Sequence, residues 1–325
     1  MTLTEHIEPY LEAMHSKGLA GLTLRNQRSH LRRFAQYLDE LGTDDVAALR
    51  REDIEEYLET LSWLPTRTGF AMKPQTRNVR LSSIKSFCQW LIHSDRIALD
   101  PAKDVGYCRE PQALPRRILS VDEMRQLLAA PDSTTLLGFR DRLVLELLYS
   151  TAVRVAELRG FDVDDIDTEQ GYARVRCGKG GKDRVVPVGT LACELCDSYL
   201  AEIRPALLDR RRSDSGVDAL ILSQYGARLG TLGINKLIRR QAKKAGLSAS
   251  ITAHTFRHSC ATHMLRGGAN VRHLQEMLGH RRVTSTEIYT RVTITDLKEA
   301  HGKFHPRARL LESEVRRSKR RKKSE

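Results

Sequence analysis

Residues 254–290 read HTFRHSCATHMLRGGANVRHLQEMLGHRRVTSTEIYT, a segment rich in groups that transfer protons or bind anions. Five of these residues are the candidates for chemistry: His254, Arg257, His258, His280 and Tyr289. The spacing of the first three predicts that they share one face of a helix. Thr284 and Glu287 have the spacing of a capping box, which predicts that Tyr289 lies in the first turns of another helix. Each residue alone is also explained by ordinary packing, so the rest of the chain decides what the segment does.

Two stretches nearer the N-terminus carry charges suited to an anionic ligand. TAVRVAELRG places Arg154 and Glu157 three residues apart, so that the carboxylate can hold the guanidinium in a fixed pose. YARVRCGKGGKDRVVPV alternates apolar and polar residues around glycines and predicts a β-hairpin. The turn of this hairpin presents Lys179 and Lys182.

The composition is that of a globular protein. The chain has 325 residues, of which 40% are hydrophobic, enough for two domains with real cores. It contains no run of about 18 apolar residues, so no membrane-spanning helix is predicted. The N-terminal MTLTEHIEPYLEAM lacks a basic region followed by an apolar stretch, and no secretion signal is predicted. The sequence therefore predicts a cytoplasmic protein.

Six cysteines are too few and too scattered for a disulfide framework in a chain of this length. They are Cys88, Cys108, Cys177, Cys193, Cys196 and Cys260. Cys193 and Cys196 form a CxxC, but neither a second pair nor two histidines at ligand spacing lie nearby. Because TLACELCDSYLAEI also has the pattern of an amphipathic helix, the pair is predicted to be two helix cysteines and not a metal or redox site.

The charge favours a polyanionic partner. The formal net charge is +13, and the last 25 residues, with ten Lys or Arg and three Glu, contribute +7 of it, which leaves +6 for the folded body. A basic body with a basic tail fits nucleic acid most simply. The segment RRSKRRKK, residues 316–323, is either a solvated end or a non-specific DNA clamp, and a DNA partner favours the clamp.

Residues 1 to about 100 have helical periodicity, clearest in LTLRNQRSHLRRFAQYLDEL, REDIEEYLETLSWL and QTRNVRLSSIKSFCQWLIHS. The last of these segments has four apolar residues interpreted as its buried face: Val79, Ile84, Phe87 and Leu91. Three basic residues are assigned to the opposite side as a stripe suited to DNA phosphates: Arg77, Arg80 and Lys85. An ordinary solvated face is the alternative.

The rest of the chain predicts a second domain that is also mostly helical. Ser120 and Glu123 have the spacing of a capping box, GFRDRLVLELLYSTAV reads as a long apolar helix, and helical patterns resume from Gly230. Three prolines and weak periodicity indicate a linker before it. The predicted division is a helical domain at 1–100, a linker at 101–117, a second domain at 118–305 and a basic tail at 306–325.

In this order the motifs resemble the signature of the tyrosine recombinases, a family that includes Xer recombinases, phage integrases and transposon resolvases. That signature is GLRxxEL, a lysine in a β-hairpin, HxLRH, LGH and a tyrosine soon after. This chain has TAVRVAEL, CGKGGK, HTFRH, LGH and EIYT, with Phe256 where leucine is usual. QTRNVRLSSIKSFCQWL also resembles the family's core-DNA-binding helix. The resemblance covers residues 3–307.

The resemblance implies a mainly α fold with a small antiparallel β-sheet. An all-helical, SAM-like core-DNA-binding domain and an α+β catalytic domain would form a C-shaped clamp on double-stranded DNA. It also implies a homotetramer, or a pairing with a related recombinase, on two synapsed sites. The helix predicted for TITDLKEAHGKF would dock into a neighbouring protomer. Neither a cofactor nor a metal ion is implied.

The implied chemistry is attack on a DNA phosphodiester. Arg154 and Arg257 would grip its non-bridging oxygens and stabilise the pentavalent transition state, and His280 would hydrogen-bond the phosphate. Tyr289 would be the nucleophile and would form a 3′-phosphotyrosyl bond. Two proton carriers complete the implied catalytic set, His254 as the base and Lys179 as the acid.

Four alternatives remain at this point. Lys182 lies on the same turn as Lys179. The HxxxH of His254 and His258 can bind zinc on a helix, although no carboxylate lies at suitable spacing. A type IB topoisomerase-like enzyme would share this chemistry without exchanging strands, and a non-catalytic DNA-binding protein would share only the fold.

Overall fold

The computed structural model describes residues 2–43, 45–63, 71–110, 118–176, 183–210, 218–279 and 294–307. Contacts divide the chain into two compact units, Met1–Leu114 and Pro115–Glu325, each with its own hydrophobic core. Within the described ranges, no helix is long and apolar enough to cross a membrane.

The first unit is helical, as the sequence predicts. Its helices are α1 (Leu3–Ser16), α2 (Gly21–Glu40), α3 (Arg51–Trp63) and α4 (Pro74–His93). Thr2 caps α1 through a capping box with Glu5, and Pro74 opens α4, where a missing N–H costs nothing. In the core that these helices enclose, the rings of Tyr10 and Phe87 pack edge to face, with their centres 5.3 Å apart.

The two faces of α4 are not those assigned from the sequence. Ile84, Phe87 and Leu91 are fully buried, but Val79 is 52% exposed. Arg80 is buried among the apolar residues, and its Nη1 donates to the Tyr57 hydroxyl at 3.3 Å. A helix has about 3.6 residues per turn, so positions 80, 84, 87 and 91 share a face whereas 79 and 84 do not. The placement of Arg80 on an exposed basic stripe was therefore wrong.

The other two residues of that stripe, Arg77 and Lys85, are half-buried. Lys85 is held by the segment after α4: its Nζ donates to the Lys103 carbonyl at 3.3 Å and lies 5.1 Å from the ring centre of Tyr107. These contacts turn Lys85 towards its own unit.

Residues 101–110, at the start of the predicted linker, pack on the first unit. Ala102 and Val105 are buried in its core. The Asn78 side chain accepts from the Cys108 N–H at 2.8 Å and donates to the Cys108 carbonyl at 2.9 Å. The amide thus joins this segment to α4, while residues 111–117 lie outside the described ranges.

The second unit surrounds a small sheet with helices, which confirms the predicted fold class. Its described α-helices and strands are α5 (Val121–Ala129), α6 (Leu136–Thr151), α7 (Val155–Gly160), β1 (Ile166–Asp167), β2 (Tyr172–Val175), β3 (Arg184–Pro187), α8 (Thr190–Ser198), α9 (Arg204–Leu208), α10 (Thr231–Lys244), α11 (Ala253–Arg266), α12 (Val271–Leu278) and α13 (Ile294–Phe304). The strand order is β1-β2-β3, all antiparallel, with Val175 opposite Arg184. The predicted hairpin is confirmed, and its turn, 177–182, lies outside the described residues.

Several local predictions are confirmed in this unit. Ser120 and Glu123 form the capping box of α5. The apolar α6 is buried on nearly all sides, as a helix without a polar stripe must be. Cys193 and Cys196 lie on α8, and burial raises the pKa of their thiols to about 11 and about 12. Both thiols are therefore protonated near neutral pH.

The predicted helix in TITDLKEAHGKF is α13, and it packs on its own chain. The His301 Nε2 donates to the Ser150 carbonyl at 2.9 Å, and the His305 Nε2 donates to the Tyr149 carbonyl at 3.2 Å. The two imidazoles stack with ring centres 4.4 Å apart. Within this chain the end of α6 supplies the partners of these histidines, and docking of the helix into a neighbouring protomer stays a prediction.

The buried imidazoles make this packing sensitive to acid. Burial lowers the pKa of His301 to about 4 and that of His305 well below its ordinary value. As the pH falls below the histidine pKa of about 6.5 in the unfolded chain, the unfolded chain therefore binds protons at these positions that the folded chain does not bind. The free energy of unfolding consequently decreases as the solution becomes more acidic. We expect His301 alone to remove about 2 kcal/mol of unfolding free energy between neutral pH and about pH 5.

Urea unfolding at a series of pH values tests this expectation. The free energy of unfolding of His301→Gln should fall less steeply with acid than that of the wild type, whatever its value at neutral pH. His15→Gln, an exposed helix histidine, should keep the wild-type slope. Parallel slopes for wild type and His301→Gln would contradict the assignment of the effect to His301.

Candidate active site

Arg154 stands where the chain leaves α6 and enters α7. It is the N-cap of α7, and Glu157 is the third residue of that helix. The Arg154 N–H donates to Glu157 Oε2 at 2.7 Å, and its Nη1 donates to Oε1 at 2.8 Å. The predicted pair is confirmed, although Arg154 precedes the helix instead of lying within it. The carboxylate fixes both the backbone and the guanidinium of the arginine.

The turn before Arg154 depends on Ala152. This residue adopts the left-handed conformation, with φ 51° and ψ 26°, at the end of α6. The family signature has glycine here, the residue that reaches this conformation without steric cost. The chain therefore keeps the conformation with a different residue, and it is this retained conformation that only the backbone shows.

Arg257 lies inside the second unit on α11. Its Nη1 donates to the Ala152 carbonyl at 2.8 Å, and its Nη2 donates to the Leu278 carbonyl. Burial, followed by the charge of Arg154, lowers the pKa of Arg257 to about 10, so the guanidinium stays cationic at neutral pH. The side chain thus joins the ends of α6 and α12, while Phe256 beside it fills the core.

The histidines of HTFRH lie on the same helix as Arg257. His254 and His258 are both exposed, whereas Arg257 is buried, so the single face predicted for the three residues stays a prediction. Four other candidate site residues lie outside the described residues: Lys179, Lys182, His280 and Tyr289. The capping box predicted for Thr284 and Glu287 lies outside them as well. Of the predicted catalytic set, the structure therefore places Arg154, His254 and Arg257.

Arg184, at the start of β3, is part of this site and was missed from the sequence. Its Nη1 and Nη2 donate to the two oxygens of Glu157 at 3.0 and 2.9 Å, and its Nε donates to the Met277 carbonyl at 3.2 Å. A charged residue opening an otherwise apolar strand was the one available signal. The contacts come from residues distant in sequence, which periodicity does not reveal.

Glu157 is ionised at the centre of this cluster. Burial alone would raise its pKa, but the hydrogen bonds from Arg184 and Arg154 lower it to about 2. With Arg257 nearby, three guanidiniums and one carboxylate leave a net charge of +2 (three positive minus one negative). Such a site attracts a phosphate diester and stabilises the additional charge of its transition state.

The glycine of LGH has a structural requirement. Gly279 ends α12 in the left-handed conformation, with φ 63°, and a Cβ there would lie 3.2 Å from Arg184 Cδ. Both the conformation and the close approach favour glycine. The turn leads directly to His280.

A second basic surface was also missed. Five exposed basic residues occupy one face of α10: Lys236, Arg239, Arg240, Lys243 and Lys244. Their spacing of three and four residues repeats the helical period, which was the available signal. Arg240 pairs with Asp141, so this face is anchored to α6.

Comparison with protein families decides what this site belongs to. The model of the phage integrase family matches residues 117–295, and that of the phage integrase N-terminal SAM-like domain matches residues 7–95. The chain belongs to the phage integrase family. It is a site-specific tyrosine recombinase, an enzyme that exchanges DNA strands.

Named relatives resemble this recombinase over most of its length. Tyrosine recombinase XerC 2 of Ralstonia nicotianae is 38% identical over 97% of this chain and 89% of its own. Tyrosine recombinase XerD of Mycobacterium tuberculosis is 39% identical over 95% of this chain and 99% of its own.

Solved structures confirm the fold of this recombinase. A lambda integrase dimer bound to a COC′ core site aligns with a TM-score of 0.65 at 21% identity, over 89% of this chain and 100% of that one. XerH bound to its difH substrate aligns with a TM-score of 0.61 at 21% identity, over 90% of this chain and 82% of that one.

Proposed function

We propose that this recombinase cuts and rejoins double-stranded DNA through a 3′-phosphotyrosyl bond to Tyr289, in the manner of Xer recombinases. The observation that carries the proposal is the arginine cluster, formed by Arg154, Arg184 and Arg257 around Glu157. Arg154 binds Glu157, and Arg257 binds the Ala152 carbonyl at the end of α6. Their charges stabilise the pentavalent phosphate that forms during attack. No ATP is needed, because the phosphotyrosyl bond retains the free energy of the phosphodiester.

The remaining roles follow the family signature. His254, exposed on α11, accepts the proton of Tyr289, and His280 hydrogen-bonds the phosphate. Lys179 protonates the departing 5′ oxygen. The phenol has an ordinary pKa of about 10, so it needs both the base and the field of the arginines in order to attack.

DNA contacts outside the catalytic cluster are proposed for both units. In the first unit, assigned as the DNA-binding domain at 1–100, Arg77 and Lys85 are half-buried and Arg80 faces the core. In the second unit, the exposed basic face of α10 is the stronger candidate for phosphates. The basic tail, residues 306–325, adds a non-specific DNA clamp. The recombinase acts on DNA in the cytoplasm.

We propose a homotetramer on two synapsed sites, or a pairing with a related recombinase. Lambda integrase has been solved as a dimer on a core site and as a tetramer on a Holliday junction. Strand exchange needs a second duplex whose 5′ hydroxyl attacks the phosphotyrosyl bond, so more than one protomer has to act together.

Covalent capture tests the proposal and identifies the target sequence in the same experiment. Nicked duplexes with randomised arms are incubated with the wild type, and those joined to protein are recovered and sequenced. The recovered sequence, called the captured duplex below, then serves as substrate. A recombinase should exchange strands between two captured duplexes, whereas relaxation of supercoiled DNA without exchange would indicate a topoisomerase.

Chelation should not change the cleavage rate. The proposed steps use a tyrosine nucleophile and protein acids and bases, and none of them needs a Lewis acid. The rate of covalent capture is compared before and after exhaustive EDTA treatment. Loss of cleavage that returns with Zn²⁺ would support the alternative in which His254 and His258 bind a metal.

A further inference from the structure

Arg184 makes more contacts within the arginine cluster than the proposed catalytic roles explain. It forms a two-pronged ion pair with Glu157 and a third hydrogen bond to the Met277 carbonyl. Its side chain is only 14% exposed, compared with 28% for Arg154. Arg154 is therefore the arginine that faces solvent, and Arg184 lies behind the carboxylate that both share.

We propose that Arg184 is a positioning residue for DNA cleavage. It holds Glu157 so that Arg154 is oriented towards the scissile phosphate and the charge of Arg154 remains available to that phosphate. The proposal rests on the function proposed above. It concerns a residue that does not itself reach the phosphate and acts through Glu157.

Orientation is the first step of the argument. The Arg154 guanidinium has one hydrogen bond to Glu157, through Nη1, and would turn freely if that carboxylate moved. Arg184 donates two parallel N–H groups to the carboxylate, a geometry that fixes the plane of both partners. A lysine would supply the charge without this fork.

Charge is the second step. If Glu157 had Arg154 as its one cation, the pair would be neutral and would offer little attraction to a phosphate. Because Arg184 also balances the carboxylate, the charge of Arg154 remains available to the substrate. The shared ion pair thus keeps an ionised, buried Glu157 beside the site without cancelling the field of the arginine.

The third step links Arg184 to the segment that leads to His280. Arg184 holds the Met277 carbonyl, and Arg257 holds the adjacent Leu278 carbonyl. Gly279 lies against the Arg184 side chain, where a Cβ would be 3.2 Å from Cδ. The end of α12 is therefore held from β3 and α11 together.

Single-turnover cleavage of the captured duplex tests the role. We expect Arg184→Gln to cleave about 100-fold more slowly than the wild type and Arg184→Lys about tenfold, because small displacements of a catalytic group cost this much. DNA affinity, measured by fluorescence anisotropy, should stay within about threefold, since Arg184 does not contact DNA.

Arg228→Gln is the matched control. Arg228 also pairs with a carboxylate, Asp162, and donates to the carbonyls of Arg159 and Phe161, but it does not touch Glu157. Its side chain is 27% exposed. This variant loses the same kinds of bond and should cleave within about threefold of the wild type.

Two readouts separate positioning from a general loss of structure. On a captured duplex whose scissile phosphate is an uncharged methylphosphonate, the defect of Arg184→Gln should shrink to about threefold, because less charge needs stabilising. In a double-mutant cycle with Glu157→Gln, the two losses should not multiply, because Arg184 acts through Glu157.

The outcomes are distinct. Wild type that forms no adduct overturns the proposed function, and the role of Arg184 with it. Any of four results would overturn the role of Arg184 alone. Arg184→Gln could cleave at the wild-type rate, or lose rate and affinity equally. It could also keep its full defect on the methylphosphonate duplex, or its loss could multiply with that of Glu157→Gln. If circular dichroism shows that Arg184→Gln does not fold, the same comparisons are made with Arg184→Lys.

Discussion

Tyr289→Phe is expected to bind the captured duplex as tightly as the wild type and to form no covalent complex with it. The substitution keeps the aromatic ring and removes only the phenolic oxygen, which is the proposed nucleophile. Under the proposed function, binding depends on basic residues that the substitution leaves unchanged. Adducts on the captured duplex are measured by denaturing gel, and affinity by fluorescence anisotropy.

Tyr225→Phe is the control for this experiment, since Tyr225 is exposed and loses the same atom. It should form adducts at the wild-type rate. Adducts of Tyr289→Phe at the wild-type level would show that another residue attacks the phosphate, and the assignment of Tyr289 would be lost.

Arg257→Ala is expected to lose about 1,000-fold in cleavage rate and only a few-fold in DNA affinity. In the proposed mechanism, the charge of Arg257 matters most when the phosphate becomes pentavalent. The substitution also removes the hydrogen bonds to the Ala152 and Leu278 carbonyls, so Arg154 and the end of α12 lose a shared support. Rate and affinity are measured side by side on the captured duplex.

Arg257→Lys separates the two effects, because it keeps a charge but cannot reach both carbonyls with a fork. It should retain more activity than Arg257→Ala. Arg266→Ala, an exposed arginine at the end of α11, should behave as the wild type. Equal losses of rate and affinity in Arg257→Ala would mean that Arg257 anchors DNA and does not act on the transition state.

Local features of the fold were predictable because the residues that determine them are neighbours in sequence. The apolar pattern of α6, the capping box at Ser120 and the alternation around the hairpin each depend on short-range spacing. The pairing of Arg154 with Glu157 was predictable for the same reason.

Features that depend on distant contacts were not predictable in this way. Arg184 meets Glu157 across 27 residues and Met277 across 93, and no periodicity connects these positions. The buried side of α4 was misassigned because a step of five residues was counted as helical spacing. The pattern of α13 predicted a helix, but an amphipathic pattern does not state which surface will cover it.

Ala152 shows how little the fold loses when an expected glycine is absent. A left-handed alanine costs about 1 kcal/mol in the folded chain. Glycine would avoid this strain, and the smaller number of unfolded conformations open to alanine offsets only part of the cost. The methyl group of Ala152 is also buried, which offsets part of the strain. Alanine is therefore tolerated here at a modest cost in stability, and a search that required glycine would reject a chain whose backbone still turns Arg154 and the carbonyl that binds Arg257 into place.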